Sequence, residues 1–254
     1  MSLSTLPRTL SILDAVIMDG GASSVAALAR HLGMPVSTTH RHVEALVDAG
    51  FLAPASYGRH IAGPRLRALA QRVDDKQIIA NAAAPILHRL AAKTGCIVQL
   101  GTFENDMVTY RIKTGRGSGD LFTKVGMQLE AYCSGIGKVL LAHLDDVARE
   151  AYLATGPFPA LTGKTITDPA SLRAELDTVR GRGFAVDDEE VKDGLRCLAI
   201  PLEAEDGRVI AAISASRNTR DSHRPDDETL LALLKDASTQ IVRDGPTRSP
   251  RRTA

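Results

Sequence analysis

Apolar positions recur with the period of an α-helix three times in quick succession along the first fifty residues. Leu6, Leu10, Leu13 and Ile17, with Val16, form one stripe, closed by Asp19-Gly20-Gly21. Val25, Leu28, Ala29 and Leu32 form a second, with Ser23 or Ser24 placed to cap its N-terminus and Gly33 to end it. Pro35 suits the first turn of a third helix. There Val36, Thr39, Val43 and Leu46 or Val47 face inward, leaving Ser37, Thr38, Arg41 and Glu44 or Ala45 on the opposite face. Gly50 stops that helix. Phe51-Leu52 and His60-Ile61 then read as short strands, with Pro54 to Gly58 as the loop between them. Helix, tight turn, helix and hairpin in that order predict a winged helix-turn-helix, whose second helix presents its N-terminal end to the major groove of DNA.

Two short helices joined by Gly-x-Pro also occur at the corner of a helical bundle. The face left over separates the two readings, because small hydroxyls beside an arginine suit base edges and have no use at a core corner. The candidate DNA contacts are Ser24, Ser37, Thr38, His40, Arg41 and, on the wing, Arg59. Double-stranded DNA is the partner expected, through a palindromic operator read by a homo-oligomer.

Gly63-Pro64 opens a segment with Leu66, Leu69, Ala70 and Val73 at helical spacing, which reads as a linker helix over 64–75. Beyond residue 76 the period changes. Ile78, Ile79, Ala83, Ile86, Leu87 and Leu90 mark a helix, and 96–103 and 107–112 are β-rich runs around the turn Glu104-Asn105-Asp106. Leu121 to Leu129 reads as further strands, Ser134 to His143, Asp145 to Ala154 and Pro169 to Arg182 as helices. Residues 195–202 and 208–216 read as a hairpin around Glu205-Asp206-Gly207, and Pro225 to Val242 as a last helix. The fold class predicted is α+β: a winged helix-turn-helix over 1–63, the linker helix, and over 76–244 a mainly antiparallel sheet flanked by helices. Residues 245–254, rich in Pro, Ser and Arg, read as a disordered tail.

A chain of 254 residues with 44% hydrophobic and 24% charged positions is globular and fits two domains. Charge is uneven along it. Residues 1–73 carry +3 and four histidines, residues 74–244 carry −5, and three tail arginines restore the overall +1. Only the N-terminal part favours a polyanion, and its modest basicity suits specific binding by a dimer. Cys96, Cys133 and Cys197 are far apart with no C-x-x-C, so neither a zinc site nor a disulfide framework is indicated. With no signal-like N-terminus and no long apolar run, a cytoplasmic protein that does not span a membrane is expected.

The C-terminal part offers little chemistry. SGIGK at 134–138 is not a phosphate-binding P-loop, since Tyr132 stands where the first glycine belongs and Val139 follows the lysine. There is no G-x-S-x-G, no H-E-x-x-H, and no histidine near the acidic run 187–190. His88, His143 and His223 read as solvated or core histidines. No catalytic residue, metal site or cofactor is predicted. SGIGK does place two glycines at a helix start, where backbone N–H groups can hold a carboxylate; the plain alternative is a glycine-rich helix start.

The chain resembles the IclR family of bacterial transcriptional regulators over roughly residues 6–243. The family's recognition helix is close to P-K-S-T-V-H-R-L-L-x-x-L, and residues 35–46 read PVSTTHRHVEAL. Its sensor domain has a small-Gly-x-Gly-Lys helix start, matched by SGIGKVLLA at 134–142. It also has an acidic run leading to Gly-x-Arg-Cys, matched by DDEEVKDGLRCLAIP at 187–201, and a closing A-A-x-S-x-S strand, matched by AAISAS at 211–216. The segment 165–190 is also typical.

The resemblance implies a linker helix leading to a GAF-like effector domain. It further implies control of a catabolic operon by a small organic acid, and assembly as a dimer or a dimer of dimers. Carried over by position, the effector pocket is bounded by Leu121, Val125, Leu129 and Tyr132, with Gly135 and Ile136 offering backbone N–H groups to the acid end. Asp187, Cys197, Ser214 and Ser216 complete it, Cys197 as a soft wall residue. Tyr110, Phe122 and Tyr132 favour an aromatic acid. Val36 replaces the family's basic residue and His42 an apolar one, and the wing SYGRHIAG departs from Tyr-x-Leu-Gly. The rival readings are a small-acid-processing enzyme with a DNA-binding appendage and a DNA-binding protein without a ligand.

Overall fold

The computed structural model describes residues 5–117, 121–204, 206–221 and 225–244. The chain divides into two units, Met1–Asp74 and Asp75–Ala254. The expected tail, His223 and Glu205 of the expected turn lie outside the described residues.

The N-terminal unit runs α1 (Thr5–Met18), α2 (Val25–His31), α3 (Val36–Asp48), β1 (Leu52–Pro54), β2 (His60–Ala62) and α4 (Pro64–Ala70). Ile12, Val16, Val25, Leu28, Val43, Leu46 and Leu52 make its core. Ser24 caps α2, its Oγ accepting from the Ala27 N–H at 3.3 Å, and Gly33 at φ +61° makes the turn into α3. The strands β1 and β2 pair antiparallel as a wing.

Two inward faces differ from those predicted. In α1 the buried residues are Ile12 and Val16, while Leu6, Leu10 and Ile17 are exposed. Apolar residues cover more than one face of this helix, so periodicity alone could not choose the phase that packs on α3. In α3 the buried set is Thr39, His42, Val43 and Leu46, and Val36 in the first turn is exposed. The His42 imidazole tolerates burial because its Nδ1 lies 2.8 Å from Thr9 Oγ1, a partner that only the folded unit supplies. Helix α4 ends at Ala70 and buries none of its residues.

The C-terminal unit begins with α5 (Asp75–Thr94), followed by β3 (Ile97–Glu104), β4 (Met107–Thr114), β5 (Gln128–Glu130), α6 (Gly135–Ala142), α7 (Asp146–Leu153) and α8 (Pro169–Arg182). It closes with β6 (Ala185–Asp188), β7 (Leu195–Glu203), β8 (Val209–Asn218) and α9 (Asp227–Asp244). The six strands form one antiparallel sheet in the order β5-β4-β3-β8-β7-β6. Asn105 and Asp106, at φ +51° and +64°, form the β3–β4 turn that the sequence marked.

Strand alternation sorts side chains to two cores. Val98, Leu100, Leu198, Ile200, Leu202 and Ile213 meet α5 and α9 on one face. The other face presents the small residues Ala185, Ala199 and Ala212, which let α6, buried along its whole length, lie close to the sheet with α8 behind it. The strands expected between Leu121 and Leu129 reduce to β5. Residues 121–127 are irregular, held to β4 where the Lys113 ammonium donates to the Leu121 carbonyl at 2.6 Å and to the Thr123 carbonyl. Strand β6 was not anticipated, because its acidic residues do not read as a buried strand.

Candidate functional site

The N-terminal unit presents Ser37, His40 and Arg41 as an exposed group at the start of α3, with Thr38 half-buried beside them. His40 Nδ1 lies 3.7 Å from Glu44 Oε1 one turn on. Arg59 is exposed at the start of β2, and its backbone bridges antiparallel to Ser24. The wing is thereby tied to the cap of α2. At the wing tip Tyr57 is 89% exposed with φ +60°, an aromatic ring the sequence reading passed over. Burial and the neighbouring His40 hold His60 below the usual imidazole range, which favours its neutral form.

In the C-terminal unit, strand register does what sequence distance conceals. Asp187 pairs with Cys197 and Cys197 with Ser216, so one row of side chains crosses β6, β7 and β8. Ser214 sits two residues along, opposite Gln99. These groups meet the N-terminus of α6 around a small cavity of about 20 Å3. Leu121, Leu129, Gly135, Ile136, Asp187, Cys197, Ser214 and Ser216 all line it, as the sequence reading grouped them. Tyr110 and Phe122, the aromatic residues expected near the ligand, line it too, and so do Gln99, Thr123 and Ser134, which were not anticipated. Gln99 sits on β3, whose hydrophobic pattern reads as core, Thr123 in the irregular stretch before β5, and Ser134 at the cap of α6.

Two expected members do not belong. Val125 is 62% exposed, because its segment is irregular instead of alternating. Tyr132 is buried elsewhere: its hydroxyl donates to the Pro159 carbonyl at 2.7 Å, its ring stacks on Phe158 at 4.8 Å, and its N–H donates to the Tyr152 hydroxyl.

The cavity is polar without being cationic. Asp187 is 2% exposed, and its Oδ1 accepts from the Glu190 and Val191 N–H groups at 2.8 and 3.3 Å. Burial outweighs those bonds and raises its pKa above the usual carboxylate range. Burial, and then the Asp187 carboxylate, push the Cys197 thiol well above its ordinary value, which keeps it protonated and unfit as a nucleophile. Ser216 Oγ is buried against the Cys197 thiol and has no nitrogen or oxygen partner among the described residues.

Ser134 caps α6, its Oγ accepting from the Gly137 N–H at 3.0 Å. The glycines of SGIGK have a packing reason: a Cβ at Gly137 would lie 2.0 Å from the Ala131 carbonyl oxygen, and one at Gly135 3.2 Å from Ala199 Cβ. The first-turn N–H groups of Gly135 and Ile136 remain without intrahelical acceptors. Lys138 turns inward, donating to Glu190 Oε1 at 2.5 Å, the Val186 carbonyl at 2.6 Å and Glu175 Oε1 at 3.4 Å. It therefore grips both flanks of Asp187. His88 and His143 each bond back to a carbonyl of their own helix.

A larger chamber of about 230 Å3 adjoins the cavity and shares Leu121, Leu195 and Ser216 with it. Its outer rim carries Arg116, Lys192, Asp193, Arg217 and Asp221.

The family models for the IclR helix-turn-helix domain and for the bacterial transcriptional regulator IclR C-terminal domain match residues 5–55 and 70–243. The chain belongs to the IclR family. Among its IclR relatives, the HTH-type transcriptional regulator BhcR of Paracoccus denitrificans is 31% identical, over 94% of this chain and 85% of that one. The Pca regulon regulatory protein of Pseudomonas putida is 28% identical, over 94% and 83%. An IclR homologue from Microbacterium hydrocarbonoxydans, solved in complex with 4-hydroxybenzoate, superposes with a TM-score of 0.63 at 27% identity, covering 95% of this chain and 98% of that one. This protein is thus an IclR-family transcriptional regulator with a DNA-binding N-terminal domain and a ligand-binding C-terminal domain. Among the described residues no helix is long and apolar enough to cross a membrane, and no group of His, Cys, Asp or Glu could hold a metal ion.

Proposed function

We propose that this regulator binds a palindromic operator as a homo-oligomer and controls a catabolic operon in response to a small organic acid, of which aromatic acids are the favoured class. The observation that carries the effector reading is the Ser216 hydroxyl, 1% exposed at the edge of a polar cavity and facing only the Cys197 thiol, a weak partner, among the described residues. A buried hydroxyl so weakly partnered costs stability unless a ligand or water completes it. The 4-hydroxybenzoate held by the Microbacterium homologue supports an aromatic acid here. On the N-terminal unit, Ser37, Thr38, His40 and Arg41 read base edges, with Arg59 and Ser24 on the backbone.

The cavity as it stands has room for one water molecule, so an acid must displace the Leu121–Thr123 segment to bind. That displacement is the differential contact by which effector shifts the equilibrium between operator-binding and operator-releasing forms. The test is fluorescence anisotropy of the purified chain on the intergenic DNA beside its own gene, at about 150 mM salt where nonspecific phosphate contacts are weakened, with random competitor and a panel of organic acids. Operator binding that survives competitor and moves with one of the acids is the expected result. Affinity no better than for random DNA, or unmoved by every acid, refutes the reading.

A further inference from the structure

Tyr57 occupies a position that folding alone disfavours twice. Its ring is 89% exposed, and its backbone lies in the left-handed region at φ +60° and ψ +36°, where a bulky residue is an outlier. Asn105 and Asp106, the positive-φ residues of the β3–β4 turn, are of types that tolerate this region. Glu189 is held there by its own carboxylate, which accepts from the Gly194 N–H at 2.6 Å and pairs with Lys164 at 2.8 Å. Tyr57 has no such compensation. Among the described residues its ring and hydroxyl make no hydrogen bond, ion pair or ring contact.

The turn does not require a tyrosine. Tyr57 and Gly58, at φ +60° and +66°, are the central residues of the mirror-image turn that short hairpins favour, for which Asn-Gly is the low-energy choice. Backbone alone closes it: the Arg59 N–H donates to the Ser56 carbonyl at 3.4 Å, and the Ala55 N–H to the Arg59 carbonyl at 2.9 Å. A strained residue that the fold does not need points to a use outside the fold.

Place and charge show what the ring faces. The Arg59 backbone bridges to Ser24 at the cap of α2, and His60 lies close enough to His40 on α3 to feel its charge. The wing therefore stands beside the helix whose N-terminal end meets the major groove. Residues 49–73 contain no Asp or Glu but carry Arg59, Arg65, Arg67 and Arg72, a balance suited to a phosphate backbone. Beyond His60 the tip extends by two or three residues of about 3.3 Å each. That reach matches about half the 12 Å width of the major groove, so a helix seated in the groove leaves the tip at its edge, over the neighbouring minor groove.

We infer that Tyr57 is a specificity-determining residue of the wing, its ring entering the minor groove that flanks each half-site and its hydroxyl donating to adenine N3 or thymine O2. A·T pairs present only acceptors there, whereas a G·C pair adds the guanine N2 amine, a second donor facing the phenol. This rests on the proposed operator binding and adds to it a second groove, the residue that reads it and the base pairs it selects.

The experiment is selection of the full-length protein on randomised duplex DNA at about 150 mM salt, then anisotropy on the selected duplex and thermal melting of the variants. Wild type should enrich half-sites flanked by A·T pairs. Changing a flanking A·T pair to G·C should weaken it at least fivefold, while inosine·C, which lacks the N2 amine, should not. Tyr57→Phe keeps the ring and should shrink the G·C penalty to under twofold. Tyr57→Asn suits the same backbone but is too short to reach the groove; it should bind at least fivefold more weakly with a thermal midpoint unchanged or raised. A lowered midpoint overturns the inference, because the ring would then hold the fold. Unchanged affinity and flank preference in both variants overturns it, as does an equal loss on all duplexes, the mark of a phosphate contact. An inosine·C penalty as large as that of G·C places the reading in the major groove and overturns it too. Enrichment of no sequence by wild type refutes the operator reading itself, and this assignment with it.

Discussion

Replacing Lys138 by Met tests whether the buried ion pair behind the cavity holds that wall together. The Lys138 side chain is 1% exposed and that of Glu190 is 7% exposed, so Met fills the same space while leaving a carboxylate without its counter-charge. Glu190 Oε2 is already buried without a partner. Breaking such a pair from one side costs about 3–5 kcal/mol. Removing both charges, with Glu190→Met added, leaves mainly the Val186 carbonyl short of a donor, a loss of about 1–3 kcal/mol. The double variant is therefore expected to be about 2 kcal/mol more stable than Lys138→Met alone, so that the losses of the two single variants are far from additive. Urea unfolding followed by circular dichroism at pH 7 measures it.

The pH dependence has a definite sign. Burial raises the pKa of Glu190 although Lys138 pulls it down, and without Lys138 it rises further. The native variant then holds a proton that the unfolded chain releases above the ordinary glutamate value of 4.5, so its stability falls as pH rises above that value. The penalty of Lys138→Met should be smaller at pH 5 than at pH 7. Additive losses in the double variant, or a penalty that ignores pH, would refute the argument.

Gly137→Ala drives a Cβ into the Ala131 backbone at 2.0 Å; we expect a loss on the scale of overpacked cores, about 1–3 kcal/mol or more, read as a lower thermal midpoint. Glu104→Gln removes a carboxylate whose burial is outweighed by hydrogen bonds from Arg111 and Thr102 and by the charge of Lys76, holding its pKa at about 2. Its contribution is present above pH 4.5 and lost as pH falls towards 2; after discount for solvent screening the variant should lose about 1–2 kcal/mol at pH 7 and match wild type near pH 2. Arg41→Ala should cost about 1–3 kcal/mol per half-site on the operator and relax preference at one base pair. An equal loss on all sequences would make Arg41 a phosphate contact.

The parts of the fold legible in the sequence were those fixed by local chemistry. Pro169 marked the start of α8, Glu104-Asn105-Asp106 the tight β turn, and Ser134 the start of α6. What stayed hidden depended on partners remote in the chain. His42 goes inward because of Thr9, thirty-three residues away, and Lys138 because of Glu190, fifty-two residues away. At the candidate cavity, motif resemblance assembled Asp187, Cys197, Ser214 and Ser216. It misplaced Val125 and Tyr132, where irregular backbone and a stacked aromatic pair, invisible to spacing, decide direction.

The Lys113 ammonium, which holds the carbonyls of Leu121 and Thr123, also sets a time scale. An effector that enters the small cavity as proposed would have to wait until that latch lets go, so its association would be paced by protein motion, slower than diffusion and steeply temperature-dependent. With the effector seated, the same latch would close behind it and slow its escape. Gene expression under this regulator would then lag a sudden rise in the acid and outlast its disappearance, a short molecular memory that shortening Lys113 to alanine should erase.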